Sequence, residues 1–103
     1  MATQLDPTVL SAAKAYLNVL REHEICFESA WLFGSFVNGG FTEDSDIDIA
    51  LVMKEVSNKF MKEVELTKYR RQIDWRIEPH IITSDNIENP FSREIMETGI
   101  KIA

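Results

Sequence analysis

The chain has 103 residues, 45% of them hydrophobic, which is enough material for one core, so we expect a single domain over residues 1–103. The formal net charge of −6 argues against direct binding of DNA or RNA as the main activity. The sequence shows neither an apolar run long enough to span a membrane nor a secretory signal pattern, and we expect a cytoplasmic protein.

The first predicted element is a helix that begins at Pro7 and ends near residues 21–24. Asp6 can cap this helix, and proline suits the first helical position. The apolar residues recur at helical spacing, at Val9, Leu10, Ala13, Tyr16, Leu17 and Leu20. This stripe predicts a helix with one buried face.

A strand is predicted over residues 25–33, where large apolar side chains such as Phe27 and Trp31 are frequent. We expect Trp31 to lie in the core. The one cysteine, Cys26, cannot form an internal disulfide, which suits a reducing compartment, and we predict that it is buried. Gly34 and Ser35 then end the strand.

A turn-rich connection, which can open with a short helix, is predicted over residues 36–45. The second predicted strand covers residues 47–53. In it the apolar residues Ile47, Ile49 and Leu51 alternate with Asp48 and Ala50, which is the pattern of a strand with two distinct faces.

The second half of the chain predicts a helix, a strand and a helix. The helix covers residues 58–72, and its candidate core residues are Phe60, Met61, Val64, Leu66 and Tyr69. A strand follows over residues 73–82, with Trp75 expected in the core. After a loop at 84–90, a short helix at 91–98 is capped by Gly99, and residues 100–103 are expected to pair or dock.

The order of these elements indicates an α/β fold with a small mixed sheet packed against helices. The short link between the first two strands favours an antiparallel pair, whereas the later strand is separated from them by a helix.

Asp46 and Asp48 form the first candidate site. Alternate residues of a strand share a face, so we expect the two side chains to project in the same direction. Two carboxylates at this spacing can share Mg²⁺ ions, which take one or two carboxylates together with phosphate oxygens. An Asp-x-Asp pair alone is also typical of a solvated strand face.

Gly34 and Ser35 form the second candidate site. A glycine after an apolar strand lets the backbone approach a ligand, and Ser35 offers a hydroxyl and an amide. If a short helix begins here, its first turn also favours an anion. Taken alone, the pair also fits a strand-ending turn with a serine cap.

The two sites together make a more specific pattern: GSFVNG at 34–39 followed by SDID at 45–48. This pattern resembles the signature of the DNA polymerase β-like nucleotidyltransferases, and in particular the minimal nucleotidyltransferases of the antitoxin type. The resemblance implies the polymerase β-like fold. It also implies that Gly34 and Ser35 hold the phosphates of a nucleotide and that Asp46 and Asp48 bind metal.

Two further residues join the nucleotide-binding set implied by this resemblance. Asn38 stands where many relatives carry arginine, and Ser45 precedes the two aspartates. The family also needs a third carboxylate on a later strand, for which Asp74 and Glu78 both qualify as metal ligands. By period 2 they are expected on one strand face.

The resemblance favours Glu78, because the family's third carboxylate usually lies between apolar residues of its strand, often two positions after a basic residue, as Glu78 follows Arg76. The distance from Glu78 to the last helix also suits the family. The family more often has aspartate there. The next residue, Pro79, lacks a backbone donor and indicates an edge strand or an irregularity. His80 falls in the same face series as Glu78, and a structural role is favoured for it.

The resemblance implies transfer of AMP from ATP to a hydroxyl acceptor, with two Mg²⁺ ions. It also implies a partner, a small helical toxin of the HEPN type, which such an enzyme modifies. The alternative is a binding module without catalysis that neutralises a helical partner by contact alone.

Overall fold

The computed structural model describes residues 6–40, 42 and 44–103. Residues 1–5 of the predicted domain, and residues 41 and 43 of the predicted connection, lie outside the described residues. The helices are α1 Pro7–Glu22, α2 Ser35–Asn38, α3 Lys59–Lys68 and α4 Pro90–Thr98. The strands are β1 Ser29–Phe33, β2 Ile47–Met53, β3 Ile77–Thr83 and β4 Ile100–Lys101, and 3-10 turns occur at Tyr69–Gln72 and Ser84–Asn86.

The four strands form one mixed sheet in the order β3-β2-β1-β4. Strand β1 pairs antiparallel with both β2 and β4, whereas β2 and β3 run parallel. The predicted α/β class, the antiparallel first pair and the pairing of the C-terminal residues are confirmed. Strand β3 lies at an edge, as Pro79 indicated. Among the described residues, no helix has the length and apolar character needed to cross a membrane.

Helices cover both faces of this sheet. On one face, α1, α2 and α3 pack over the larger cluster of buried residues, which includes Tyr16, Leu17, Leu32, Ile49, Leu51 and Leu66. On the other face, α4 packs over a smaller cluster that contains Ala50, Val52, Ile82 and Ile95. The alternating residues of β2 therefore serve two cores, and Asp48 shares the face of the smaller one.

The first strand is shorter than predicted because residues 23–28 complete the end of α1. Glu24 takes the left-handed conformation (φ 61°), and its amide bonds the carbonyl of Arg21 while the amide of Ile25 bonds that of Leu20. This pair of bonds is a Schellman ending, and its apolar anchor, Ile25, is buried. Cys26 follows this ending and is exposed, so its predicted burial is wrong.

The predicted core face of α3 is wrong for three residues. Phe60 is 72% exposed, Met61 56% and Val64 38%, whereas Leu66 is fully buried. The buried side of the helix faces the edge strand β3 and carries polar groups there. Glu63 accepts the outward amide of Ile81 at 3.0 Å. The spacing of apolar residues therefore predicted the wrong buried face. The face toward β3 carries a carboxylate, which accepts a hydrogen bond from the sheet edge.

The predicted start of the third strand at residue 73 is also wrong, since β3 begins at Ile77. The carbonyl of Arg70 accepts the amides of both Ile73 and Asp74, and the Asp74 carboxylate accepts the amide of Arg76. These bonds fold residues 70–76 into turns. Trp75 lies on this turn and is 65% exposed, so its predicted burial is wrong as well.

A buried hydrogen bond joins α1 to α3. The Tyr16 hydroxyl donates to the carbonyl of Leu66 at 2.6 Å, and burial raises the pKa of this hydroxyl well above its ordinary value. We expect Tyr16→Phe to lower the free energy of unfolding by about 1 kcal/mol in urea titrations, because the hydrogen bond is lost without a cavity.

Tyr69→Phe is the matched control for this measurement. Tyr69 is half-buried and stacks on His23 through its ring, with centroids 4.5 Å apart, and the substitution keeps that ring contact. Equal stabilities of the two variants would contradict the assignment of the Tyr16 bond.

Candidate active site

A sharp backbone turn at Gly34 joins β1 to α2. Gly34 has φ 82° and ψ −152°, a conformation that residues with side chains rarely adopt. Its carbonyl accepts the amides of Val37 at 3.0 Å and Asn38 at 2.9 Å, and the Ser35 carbonyl accepts that of Gly39 at 2.9 Å. These bonds let the chain pass from sheet to helix within one residue, with Ser35 half-buried at the turn.

Asp48 lies beside this turn, on the inner strand β2. In the sheet register it pairs with Phe33 of β1 and with Glu78 of β3. A Cβ placed on Gly34 would collide with Oδ2 of Asp48. The Asp48 carboxylate therefore reaches the turn because residue 34 has no side chain.

The other predicted site residues of the pattern at 34–39 and 45–48 lie between β1 and β2. Asp46 immediately precedes β2 and is exposed, so the two aspartates stand at the entrance of the strand rather than both within it. Asn38 ends α2 and is exposed. The Ser45 Oγ accepts the amide of Thr42 at 2.8 Å, which closes the turn before Asp46.

The two candidates for the third carboxylate occupy different places. Glu78 is on β3 in register with Asp48, and its Oε1 accepts Nη1 of Arg70 at 3.0 Å. Asp74 precedes the strand and binds Arg76 through Nε at 3.1 Å and Nη2 at 2.9 Å. The expectation that both lie on one strand face is wrong, because the strand begins after Asp74. Of these two carboxylates, only Glu78 is a neighbour of Asp48 in the sheet.

His80, for which a structural role was favoured, lies against Asp48. Its Nε2 lies 3.2 Å from Oδ1 of Asp48. Its ring meets the ring of Phe33 edge to face, with centroids 5.1 Å apart, and it also meets Phe91 of α4 at 6.4 Å. The available signal was its spacing of two residues from Glu78, which places both side chains on the face of Asp48.

The donor atoms at the entrance of β2 suit a hard cation. The carboxylates of Asp46 and Asp48 supply oxygens, and Gly34 keeps the space beside Asp48 Oδ2 free of a side chain. Among the described residues, no three His, Cys, Asp or Glu side chains are grouped to hold a metal. The two carboxylates by themselves fit Mg²⁺ shared with phosphate oxygens, since this ion takes one or two carboxylates from a protein.

The sequence of the chain matches a known family along most of its length. The family described as "Polymerase beta, Nucleotidyltransferase" matches residues 16–103, which include the Gly34 turn and both aspartates. The chain belongs to this nucleotidyltransferase family. The family resemblance predicted from the motif is confirmed, and the chain is an enzyme of the nucleotidyltransferase class.

Two relatives from Methanocaldococcus jannaschii have similar sequences over most of their length. "Putative protein adenylyltransferase MJ1379" is 31% identical over 89 residues, which cover 80% of this chain and 88% of the relative. "Putative protein adenylyltransferase MJ0604" is 30% identical over 92 residues, covering 85% of this chain and 91% of the relative.

Two solved structures share the fold of this nucleotidyltransferase. A "putative nucleotidyltransferase" from Sulfolobus solfataricus has a TM-score of 0.66 at 19% identity, covering 90% of this chain and 78% of its own. A mutant of the toxin–antitoxin MntA–HpeT has a TM-score of 0.64 at 16% identity, covering 89% and 72%. The polymerase β-like fold predicted from the motif is confirmed.

Gly34→Ala tests the contact between the turn and Asp48. Gly39→Ala is the matched control, since Gly39 also has a positive φ, 91°, but a Cβ there meets nothing within 4 Å. Both variants carry a backbone strain of about 1–3 kcal/mol. Because Gly34→Ala adds the collision with Asp48, we expect it to unfold at lower urea concentration than Gly39→Ala. Equal midpoints would contradict the contact.

Asp74→Asn tests whether Asp74 is a structural residue. The hydrogen bonds from Arg76 hold the pKa of the Asp74 carboxyl below its ordinary value of 3.8, and both side chains are partly buried, 18% and 20% exposed. At neutral pH we expect the substitution to lower the free energy of unfolding by about 1–2 kcal/mol, from loss of a charged, partly buried bond.

The pH dependence of this difference has a definite sign. The pKa of Asp74 is lower in the folded state than its ordinary value of 3.8. The contribution of the ionised Asp74 to the free energy of unfolding is therefore complete above pH 3.8 and is lost as the pH falls through the pKa of the folded state. Urea titrations of wild type and Asp74→Asn should therefore converge in acid. A difference that stays constant into acid would contradict the ion pair, and a loss of nucleotide binding by a folded variant would restore Asp74 as a site residue.

Proposed function

We propose that this enzyme transfers AMP from ATP to a hydroxyl group of a partner protein. The observation that carries the proposal is the approach of the Asp48 carboxylate to the side-chain-free turn at Gly34. A carboxylate of the metal-binding type and a turn suited to phosphates meet at one point, although they come from different strands. The family supplies the reaction class, and the relatives named as protein adenylyltransferases support a protein acceptor.

In the proposed reaction, the acceptor oxygen forms a bond to the α-phosphorus, and the bond from that phosphorus to the bridging oxygen of the β-phosphate breaks. Pyrophosphate leaves. We assign the hydroxyl proton to Glu78, which is in register with Asp48. Arg70 binds Oε1 of Glu78, so Oε2 is the oxygen assigned to the proton.

The chain's own groups act mainly by position and charge. Ser35 is assigned to the β- and γ-phosphates, which approach the turn where Gly34 leaves space. Asp46 and Asp48 would hold the two Mg²⁺ ions that the family implies, and these ions would neutralise the charge of the triphosphate. Asn38 and Ser45, at the ends of the connection, are proposed to border the nucleotide.

We propose that the acceptor is a toxin encoded beside this chain, of the small helical HEPN type. One structural neighbour comes from a toxin–antitoxin pair, and this origin supports a partner of that kind. Binding of the toxin and transfer of AMP to it are separate properties, and they can be measured separately.

The experiment mixes the protein with the product of the adjacent gene and with ATP labelled on either the α- or the γ-phosphate. We expect label from the α position alone to appear on the partner. The variant Asp46→Asn, Asp48→Asn should reduce this transfer by at least about 100-fold. Loss of the proposed metal ligands should reduce activity at least as much as loss of residues that only hydrogen-bond to such ligands. Asp85→Asn, at an exposed position of the turn Ser84–Asn86, is the control and should transfer label normally.

A second function is favoured by one observation, the bond between Arg70 and Glu78 at 3.0 Å. A third carboxylate held by arginine is compatible with an idle site, in which the protein neutralises its partner by contact alone. If the variant Asp46→Asn, Asp48→Asn still neutralises the toxin, binding is the function. If the folded variant loses neutralisation, catalysis is the function.

A further inference from the structure

The bond between His80 and Asp48 has a defined direction. An ionised carboxylate only accepts hydrogen bonds, so Nε2 of His80 carries the hydrogen and donates it to Oδ1 of Asp48 across 3.2 Å. The Asp48 side chain is 22% exposed and that of His80 36%, so the bond lies at the rim of the site and is partly shielded from water. Such shielding makes the bond stronger than it would be on an open surface.

The ring of His80 is held in place by aromatic neighbours from two other elements. Phe33 of β1 and Phe91 of α4 contact it edge to face, with interplanar angles of 66° and 60°. The same two phenylalanines contact each other at 5.8 Å. In the sheet register His80 stands opposite Ala50, whose small side chain leaves room for the ring. A donor fixed in this way also fixes the group that accepts from it.

The two oxygens of Asp48 therefore have different neighbours. Oδ1 faces His80, and Oδ2 faces the turn at Gly34. A carboxylate without the histidine bond could rotate about its last side-chain torsion, which is broad for aspartate. The histidine bond restricts that rotation and presents Oδ2 to the turn.

We infer that His80 is a positioning residue, which acts through Asp48 to orient Oδ2 for binding the Mg²⁺ that would accompany the phosphates. This inference rests on the proposed function, because it concerns the same nucleotide. It adds a residue beyond the two aspartates and the third carboxylate. Partners that orient metal-ligating side chains typically change metal affinity or activity by about 10–100-fold when they are removed.

Two substitutions separate the donor of His80 from its ring. His80→Phe keeps an aromatic ring against Phe33 and Phe91 but removes the donor. His80→Gln keeps a nitrogen donor at a similar reach but removes the ring. A positioning role predicts that Gln retains function and Phe loses it, whereas a packing role predicts the reverse order.

The measurement is calorimetric titration of ATP, with and without Mg²⁺, into wild type and both variants, with urea unfolding as the test of folding. We expect His80→Phe to weaken Mg²⁺-dependent binding by about 10-fold or more and His80→Gln to bind within about 3-fold of wild type. Binding of ATP without Mg²⁺ should be equal in all three proteins. If His80→Phe is unfolded, His80→Met replaces it with the same expectation.

The outcomes distinguish this inference from the proposed function. If wild type binds Mg²⁺ and ATP and His80→Phe binds equally well, His80 does not position Asp48, and the proposed function stands. If His80→Gln binds more weakly than His80→Phe, the residue is a packing residue. If folded wild type shows no Mg²⁺-dependent binding, the proposed function and this inference both fail.

Discussion

The site depends on the space that Gly34 leaves for the carboxylate of Asp48. Gly34 directly follows β1, and Asp48 lies on its antiparallel neighbour β2. A side chain on residue 34 would collide with Oδ2 of Asp48. The positive φ of Gly34 also allows α2 to begin at the next residue. Gly34 thus determines both the path of the backbone at the proposed phosphate site and the space for the Asp48 carboxylate beside it.

The edge strand β3 connects this site to the fold. Two of its outward backbone groups bond to side chains, since Glu63 accepts the amide of Ile81 and Arg70 donates to the carbonyl of Ile77. Pro79 has no amide to expose. These features discourage pairing with another chain. The same strand carries Glu78, the proposed third carboxylate, and His80 to the face of Asp48. Residues that protect the edge therefore also neighbour the candidate site.

The fold could be predicted from the sequence where one physical requirement controlled the pattern. Strand β2 was predicted with its correct bounds because its alternation serves two cores. Helix α1 begins as predicted because Asp6 accepts the amide of Thr8.

The sequence pattern failed to predict the structure where tertiary contacts overrode local signals. Glu63 lies on the side of α3 that faces β3, where its carboxylate accepts a backbone amide at the sheet edge. The spacing of apolar residues gives no information about this hydrogen bond.

In the candidate site, too, local patterns were predictable from the sequence and tertiary placement was not. The motif at 34–39 and 45–48 was sufficient to assign the family, because the spacing of glycine and aspartates reflects a backbone requirement local to two strands. The sequence favoured Glu78 over Asp74 as the third carboxylate but left both as candidates, since their placement depends on where β3 begins. The place of His80 depends on strand order, which makes β2 and β3 parallel neighbours, and a single sequence does not determine that order.

The central claim is that Asp46 and Asp48 form the binding site of a metal-bound nucleotide beside the turn at Gly34. The most direct test is calorimetric titration of ATP, with and without Mg²⁺, into wild type and into the variant Asp46→Asn, Asp48→Asn. The account predicts that wild type binds ATP in a Mg²⁺-dependent manner and that the folded variant loses this binding. Equal Mg²⁺-dependent binding by the variant, or none by well-folded wild type, would contradict it.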